Sequence, residues 1–333
     1  MREELKILIK AQYPLIYLIT PEEERAEHAI SLIAQAEKPA RRVFIWTMTH
    51  GLVEFGQPRH VAHHSTVSPQ MAIQAAIREK DSALFVFKDL HPFLDSPEVV
   101  RWLRDAITCL KGTQKSIVLM SPVQSIPIEL EKDVVVLDFP LPTIAELDEV
   151  LTQQTLGAMS PRLSPEIREK LLKAALGLTH DEAEKVYQKA KVTAGKLTES
   201  EVGIILSEKK QLIRRNGILE FIDVDETIES VGGLEELKRW LKQRSFAFTE
   251  RARQYGLPQP KGMLILGVPG CGKSLIAKTT SLLWGLPLLR LDMGRVYDGS
   301  TVGRSEANLR GALKTAESIS PAILFIDEMD KAF

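Results

Sequence analysis

The stretch LILGVPGCGKS, residues 264–274, limits the possible folds more than any other part of the chain. An apolar run ends in Gly267, and Gly272, Lys273 and Ser274 follow at the spacing G-x-x-x-x-G-K-[ST]. That spacing belongs to a loop joining a buried strand to the N-terminus of a helix. The glycines let the backbone curl until successive N–H groups point inward, and the dipole of a helix opening at Lys273 favours negative charge there. The chemistry expected of the loop is a phosphate cradle lined by Gly267, Pro269, Gly270, Cys271, Gly272, Lys273, Ser274 and Leu275. The Lys273 ammonium would reach the β- and γ-phosphates of ATP, and the Ser274 hydroxyl would bind Mg²⁺. A glycine turn with a structural role alone would leave Lys and Ser in register unexplained.

A second element, ILFIDEMD at 323–330, is an apolar strand ending in two acids. Alone such a strand is a weak signal. It gains force by following the loop with one strand and one helix pair between. Asp327 is expected to hold Mg²⁺ through water and Glu328 to polarise the attacking water as general base.

The rest of the chain fits a strand-loop-helix plan. Short β-branched runs at 15–20, 43–48, 83–89, 116–121 and 134–139 alternate with helical patterns at 22–36, 69–80 and 97–111. Alternation of this kind predicts a parallel sheet, and runs apolar on both faces predict helices on both sides of it. After Pro140 and Pro142 the pattern is helical only, with Thr143 and Ser164 as N-caps and Gly177 closing a helix at 166–176. Helices at 181–193 and 199–215 lead to an acidic stretch, 223–229. Beyond it come a helix at 234–252, a strand at 263–267, a helix from Lys273, a strand at 286–292, a helix at 305–318 and a strand at 322–328. We therefore expect a core at 1–142, a helical lid at 143–196, a helical linker at 197–229 and a second core at 230–333.

Composition excludes some partners. A hydrophobic share of 44% and a charged share of 26% are ordinary for a globular protein. With 43 basic and 44 acidic residues the net charge is -1, so neither nucleic acid nor an anionic membrane is an expected partner. The apolar run near the N-terminus, 13–20, is too short to span a bilayer. Cys109 and Cys271 lie in different halves, which fits a reducing cytoplasm or plastid stroma. His60, His63 and His64 fit no common zinc spacing, and a solvated loop is the simpler reading.

Residues 225–333 resemble the first half of an AAA ATPase module. SVGGLEELKRWL is similar to the family's opening segment, which implies that Ser230, Val231 and Gly232 lie along the adenine. RSEANLRGALKTAESISPAILFIDEMD is similar to the helix and strand that carry the second motif. Over the whole chain, the domain order and the GVPGCGKS loop resemble the Ycf-type AAA proteins of cyanobacteria and algal plastids. The resemblance implies two P-loop-type α/β domains, an arginine finger from a neighbouring subunit, a homo-oligomer that is most often a hexamer, and a protein partner. The sensor strand, the finger and the second lid of the family lie beyond Phe333, so a longer protein is expected, with a gap in the sheet between 263–267 and 322–328. Thr301 stands where threading members carry an aromatic, which weakens a polypeptide grip, and Tyr297 reads as a packing residue.

The first half echoes the second: LIYLIT overlays MLILG, and ALFVFKD overlays AILFIDE. It is expected to be a degenerate copy that takes no nucleotide. TPEEER replaces the glycine loop, with Thr20 capping, Pro21 starting and Glu22, Glu23 and Glu24 favouring the first helical turn. Asp89 is followed by Leu90 in place of a second acid. Two function classes stay open: an ATPase remodelling a protein partner in a ring, bound there by its N-terminal domain, and a nucleotide-binding scaffold without turnover.

Overall fold

The computed structural model describes residues 2–57, 64–155, 163–194, 201–215, 218–222, 232–248, 252, 255–258, 260–268, 270–297, 302–320 and 322–327. The chain divides into two compact units, Met1–Leu141 with Thr179–Asp181, and Pro142–Leu178 with Glu182–Phe333. It is a mixed α/β protein with parallel strands flanked by helices, as the alternating apolar runs imply.

In the first unit the order is α1 (Arg2–Lys10), β1 (Leu15–Ile19), α2 (Glu23–Ala36), β2 (Arg42–Thr47), β3 (Gly51–Glu54), α3 (Pro69–Arg78), β4 (Ala83–Lys88), α4 (Pro97–Leu110), β5 (Lys115–Ser121) and β6 (Val135–Asp138). The sheet runs β3-β2-β4-β5-β1-β6, parallel except for the β2–β3 pair. The two-residue period of each strand divides the core. Tyr17, Phe85, Phe87 and Leu119 pack on one face with α3 and α4, and Ile16, Leu18, Val86 and Val118 pack on the other with α1 and α2. Burying each such side chain contributes roughly 1.5–3 kcal/mol. β1 lies next to the edge strand β6, and β5 stands between it and β4.

Two elements went unread in the sequence. α1 buries Leu5 and Ile9, one turn apart, and β3 is a short antiparallel edge strand. At the start of α2 the Thr20 hydroxyl accepts the Glu22 N–H at 2.9 Å. Glu22 itself occupies the cap position, so Thr20 acts earlier than expected.

The second unit begins with α5 (Ile144–Thr155), α6 (Pro165–Ala175), α7 (His180–Ala194, whose first two residues belong to the first unit) and α8 (Val202–Arg215). Thr143 and Glu146 form a capping box: the Thr143 N–H donates to Oε2 of Glu146 at 2.9 Å, and the Glu146 N–H to Oγ1 of Thr143 at 3.4 Å. Ser164 accepts the Ile167 N–H, and Gly177 has φ +89° just beyond α6. Leu147, Leu151, Leu171, Tyr187 and Ile205 make the core of this part.

The chain continues through β7 (Leu219–Ile222), α9 (Glu235–Ser245), α10 (Lys273–Trp284), β8 (Leu288–Leu291), α11 (Met293–Tyr297), α12 (Val302–Ser318) and β9 (Ile323–Ile326). β7 pairs antiparallel and β9 parallel with β8, in the order β7-β8-β9. β7 and α11 were not foreseen, and α9 is shorter than the expected 234–252 helix. One expectation fails outright. Residues 263–267 form no strand, and Leu264 and Leu266 are 72% and 84% exposed. In the first sheet β1 is held by β5 and β6 and never touches β4; among the described residues no strand takes the place of β5 beside β9. An extended segment without a ladder partner does not become a strand. A cavity of about 370 Å³ lies by β2 and β3 in the first unit, while in the second unit one of about 350 Å³, lined by Met263, Ile265, Ala277, Trp284, Ile323 and Phe325, fills the gap that the resemblance implies. No helix among the described residues is long and apolar enough to cross a membrane.

Lys209 on α8 is buried and donates its ammonium to the Leu176 carbonyl at the end of α6. Burial pushes its pKa down to about 8. Between about 8 and the ordinary ~10.4 the unfolded chain holds the extra proton, so stability rises with pH through that window. Lys209→Met should raise unfolding stability at pH 7 by ~1–3 kcal/mol and flatten the rise above pH 8, as urea melts at several pH values would show.

Candidate phosphate-binding site

The expected site residues are placed by three elements of the second unit. The loop after the apolar run turns at Gly270 and Gly272, with φ +82° and +90°, conformations that side chains rarely adopt. A Cβ at either glycine would meet nothing within 4 Å, so both bound open space. Gly272 is the N-cap of α10, which starts at Lys273. No side chain caps this helix, and its first turn carries no acid. The first N–H groups of a helix need a partner, and here the chain supplies none from its caps.

Lys273 folds back, donating Nζ to the carbonyls of Gly267 and Val268 at 3.0 Å each. Its ammonium thus lies over the loop rather than out in solvent. The Cys271 N–H donates to Val268 O at 3.3 Å and narrows the turn. Cys271 and Ser274 are exposed, while Gly272, Lys273 and Leu275 are half-buried. The Cys271 thiol faces Gly267: a Cβ there would lie 2.5 Å from Sγ. A larger residue at 267 would require the Cys271 side chain to turn aside.

α10 is held from behind. Trp284 Nε1 donates to Leu241 O of α9 at 2.9 Å, and Gly285 closes the helix in the left-handed region. Ile276 and Ala277 are buried at its base.

Asp327 follows β9 and is half-buried. A feature the sequence did not announce is Arg290 of β8, whose guanidinium lies 3.7 Å from the Asp327 carboxylate. Arg290 and Phe325 are register partners across the parallel pair, which brings the arginine to the end of β9. No spacing rule links positions 290 and 327; only the strand register does. Gly232 is exposed. Ser230, Val231, Pro269, Thr301 and Glu328 lie outside the described residues, as do His60, His63 and the acidic stretch 223–229.

A cation folded over an open glycine turn, at an uncapped helix N-terminus, fits a polyphosphate. The donor set also fits a hard divalent cation, with one hydroxyl at Ser274 and one carboxylate at Asp327.

Comparison with known proteins identifies the family. Residues 1–139 match the SpoVK-like AAA ATPase N-terminal domain, residues 145–216 the SpoVK-like AAA ATPase second domain, and residues 263–333 the ATPase family associated with various cellular activities (AAA). The AAA domain-containing protein ycf46 of Trieres chinensis is 38% identical over 331 residues, covering 99% of this chain and 66% of the relative. The ycf46 protein of Guillardia theta is 38% identical over 333 residues, covering 99% and 65%. That of Gracilaria tenuistipitata var. liui is 36% identical over 341 residues, covering 100% and 67%. The chain spans about two thirds of the length of these curated relatives. With the AAA family model matched over residues 263–333 and relatives matched along its whole length, this chain belongs to the AAA ATPase family, among the Ycf46 proteins.

Proposed function

We propose that this chain is the ATP-binding part of an AAA ATPase that hydrolyses ATP in an oligomeric ring and uses the energy to remodel a protein partner. The observation that carries the reading is the junction at Gly272 and Lys273, where a cation and a helix N-terminus without a side-chain cap meet at one open turn. The nucleotide-binding residues in this reading are Ser230, Val231, Gly232, Gly267, Pro269, Gly270, Cys271, Gly272, Lys273, Ser274 and Leu275.

Lys273 swings from its carbonyls to neutralise the β- and γ-phosphate oxygens, and Ser274 with Asp327 holds Mg²⁺. That metal would supply Lewis-acid neutralisation of the charge that develops on the phosphate. Glu328 orients the attacking water and takes its proton. Arg290, 3.7 Å from the Asp327 carboxylate, would share that carboxylate with a bound cation. The division into 1–142, 143–196, 197–229 and 230–333, a homo-hexameric ring and a cytoplasmic or stromal setting complete the proposal, with the N-terminal domain meeting the protein partner.

A scaffold that binds nucleotide without turnover is the second reading. ATP turnover by the complete protein separates the two. Glu328→Gln should lower the rate at least ~10²-fold while ATP remains bound. Equal, negligible rates in wild type and variant would leave only the scaffold.

The loop itself offers a second test. Gly267→Ala should destabilise the second unit by about 1–3 kcal/mol through overpacking against Cys271, and adding Cys271→Ala should recover most of that loss in denaturant melts. If the double variant is as unstable as the single one, the contact does not set the loop.

A further inference from the structure

In open α/β sheets, ligands sit at the carboxyl ends of parallel strands. In the first unit that place is filled by the chain's own charges. Lys88, the last residue of β4, is 8% exposed and sends its ammonium to Glu27 Oε1 at 2.8 Å and to the Glu23 carboxylate. Glu27 is buried to 1%. Beside this pair, the Glu22 carboxylate accepts Arg25 Nε at 3.1 Å and the His180 N–H at 2.6 Å. Arg25 in turn stacks its guanidinium 4.4 Å above the Phe139 ring and donates to Pro140 O.

Set against the second unit, the signs are reversed. Overlaying ALFVFKD on AILFIDE puts Lys88 where Asp327 stands. The helix after the 15–20 run opens with Glu23 and Glu24, and the helix after the glycine loop opens with Lys273 and no acid. Burial by itself pushes the Lys88 ammonium down, but its bonds to Glu23 and Glu27 outweigh that and hold it above the ordinary lysine range. The group is therefore a stable cation at neutral pH.

We propose that Lys88, Glu23 and Glu27, with Glu22 and Arg25, are a built-in replacement for nucleotide: they occupy the phosphate and metal positions of the first unit and hold it in one conformation whatever the second unit has bound. A phosphate entering there would have to part a buried ion pair and lie against carboxylates, leaving charges without compensation. The ion pair ties the N-terminus of α2 to the end of β4, which is the linkage a bound nucleotide would otherwise make. The first unit thereby stays rigid while the second responds to nucleotide.

Amide hydrogen exchange on the full chain, with and without Mg-ATP, tests this. In wild type, exchange across 20–36 and 84–90 should be the same in both conditions, while peptides from 263–284 report separately on the second unit. Lys88→Met and Glu23→Gln should each speed exchange across 20–36 by about tenfold or more, and Lys88→Arg should keep it slow. Glu23 is partly exposed, so Glu23→Gln preserves the fold even if Lys88→Met does not. Slower exchange across 20–36 on adding Mg-ATP to wild type would overturn the proposal. So would wild-type exchange in both Glu23→Gln and a folded Lys88→Met.

Discussion

A helix that starts in a turn after an apolar run presents N–H groups without intrahelical partners and a positive dipole end to its surroundings, and something negative has to meet them. Both units of this protein face that requirement, and they meet it in opposite ways. In the first unit the helix brings its own acids, Glu23 and Glu24, and the strand beside it brings Lys88 to balance them. In the second unit the helix brings Lys273 and no acid, and the adjacent strand leads to Asp327. One site is closed by the chain itself. The other is left for an anion that the chain does not supply.

This difference explains why the loop sequences diverge so far. An open site needs glycine at 270 and 272, because the turn passes through positive φ and the space beside it has to stay clear. Glycine at 267 leaves room for the Cys271 thiol as it stands. A closed site needs none of these, and TPEEER fills the same position with a hydroxyl that accepts the Glu22 N–H and a buried carboxylate network.

Much of the architecture was legible because parallel strands are apolar on both faces: LIYLI, ALFVFK and SIVLMS announce themselves, and the cap residues Thr143, Ser164 and Gly177 sit where local rules put them. What escaped depends on long-range pairing. β3 is four residues long and finds its order only against β2. Arg290 reaches Asp327 through strand register, and Lys88 reaches Glu27 through the packing of α2 on the sheet. Read locally, Lys88 passes unnoticed beside Asp89 and Leu90. The 263–267 segment shows the reverse case: its sequence is a strand's, yet without a ladder partner it stays extended and exposed. Local propensity proposes a strand, and hydrogen-bond partners decide it.

The central claim is that the glycine turn before Lys273 receives a nucleotide and the crevice beside Lys88 does not. Photolabelling the complete protein with an azido-ATP analogue and mapping the labelled peptides tests it directly. The account predicts label on peptides from 260–297 and none on 15–36. Label on 15–36, or a chain that takes none at 260–297, would contradict it.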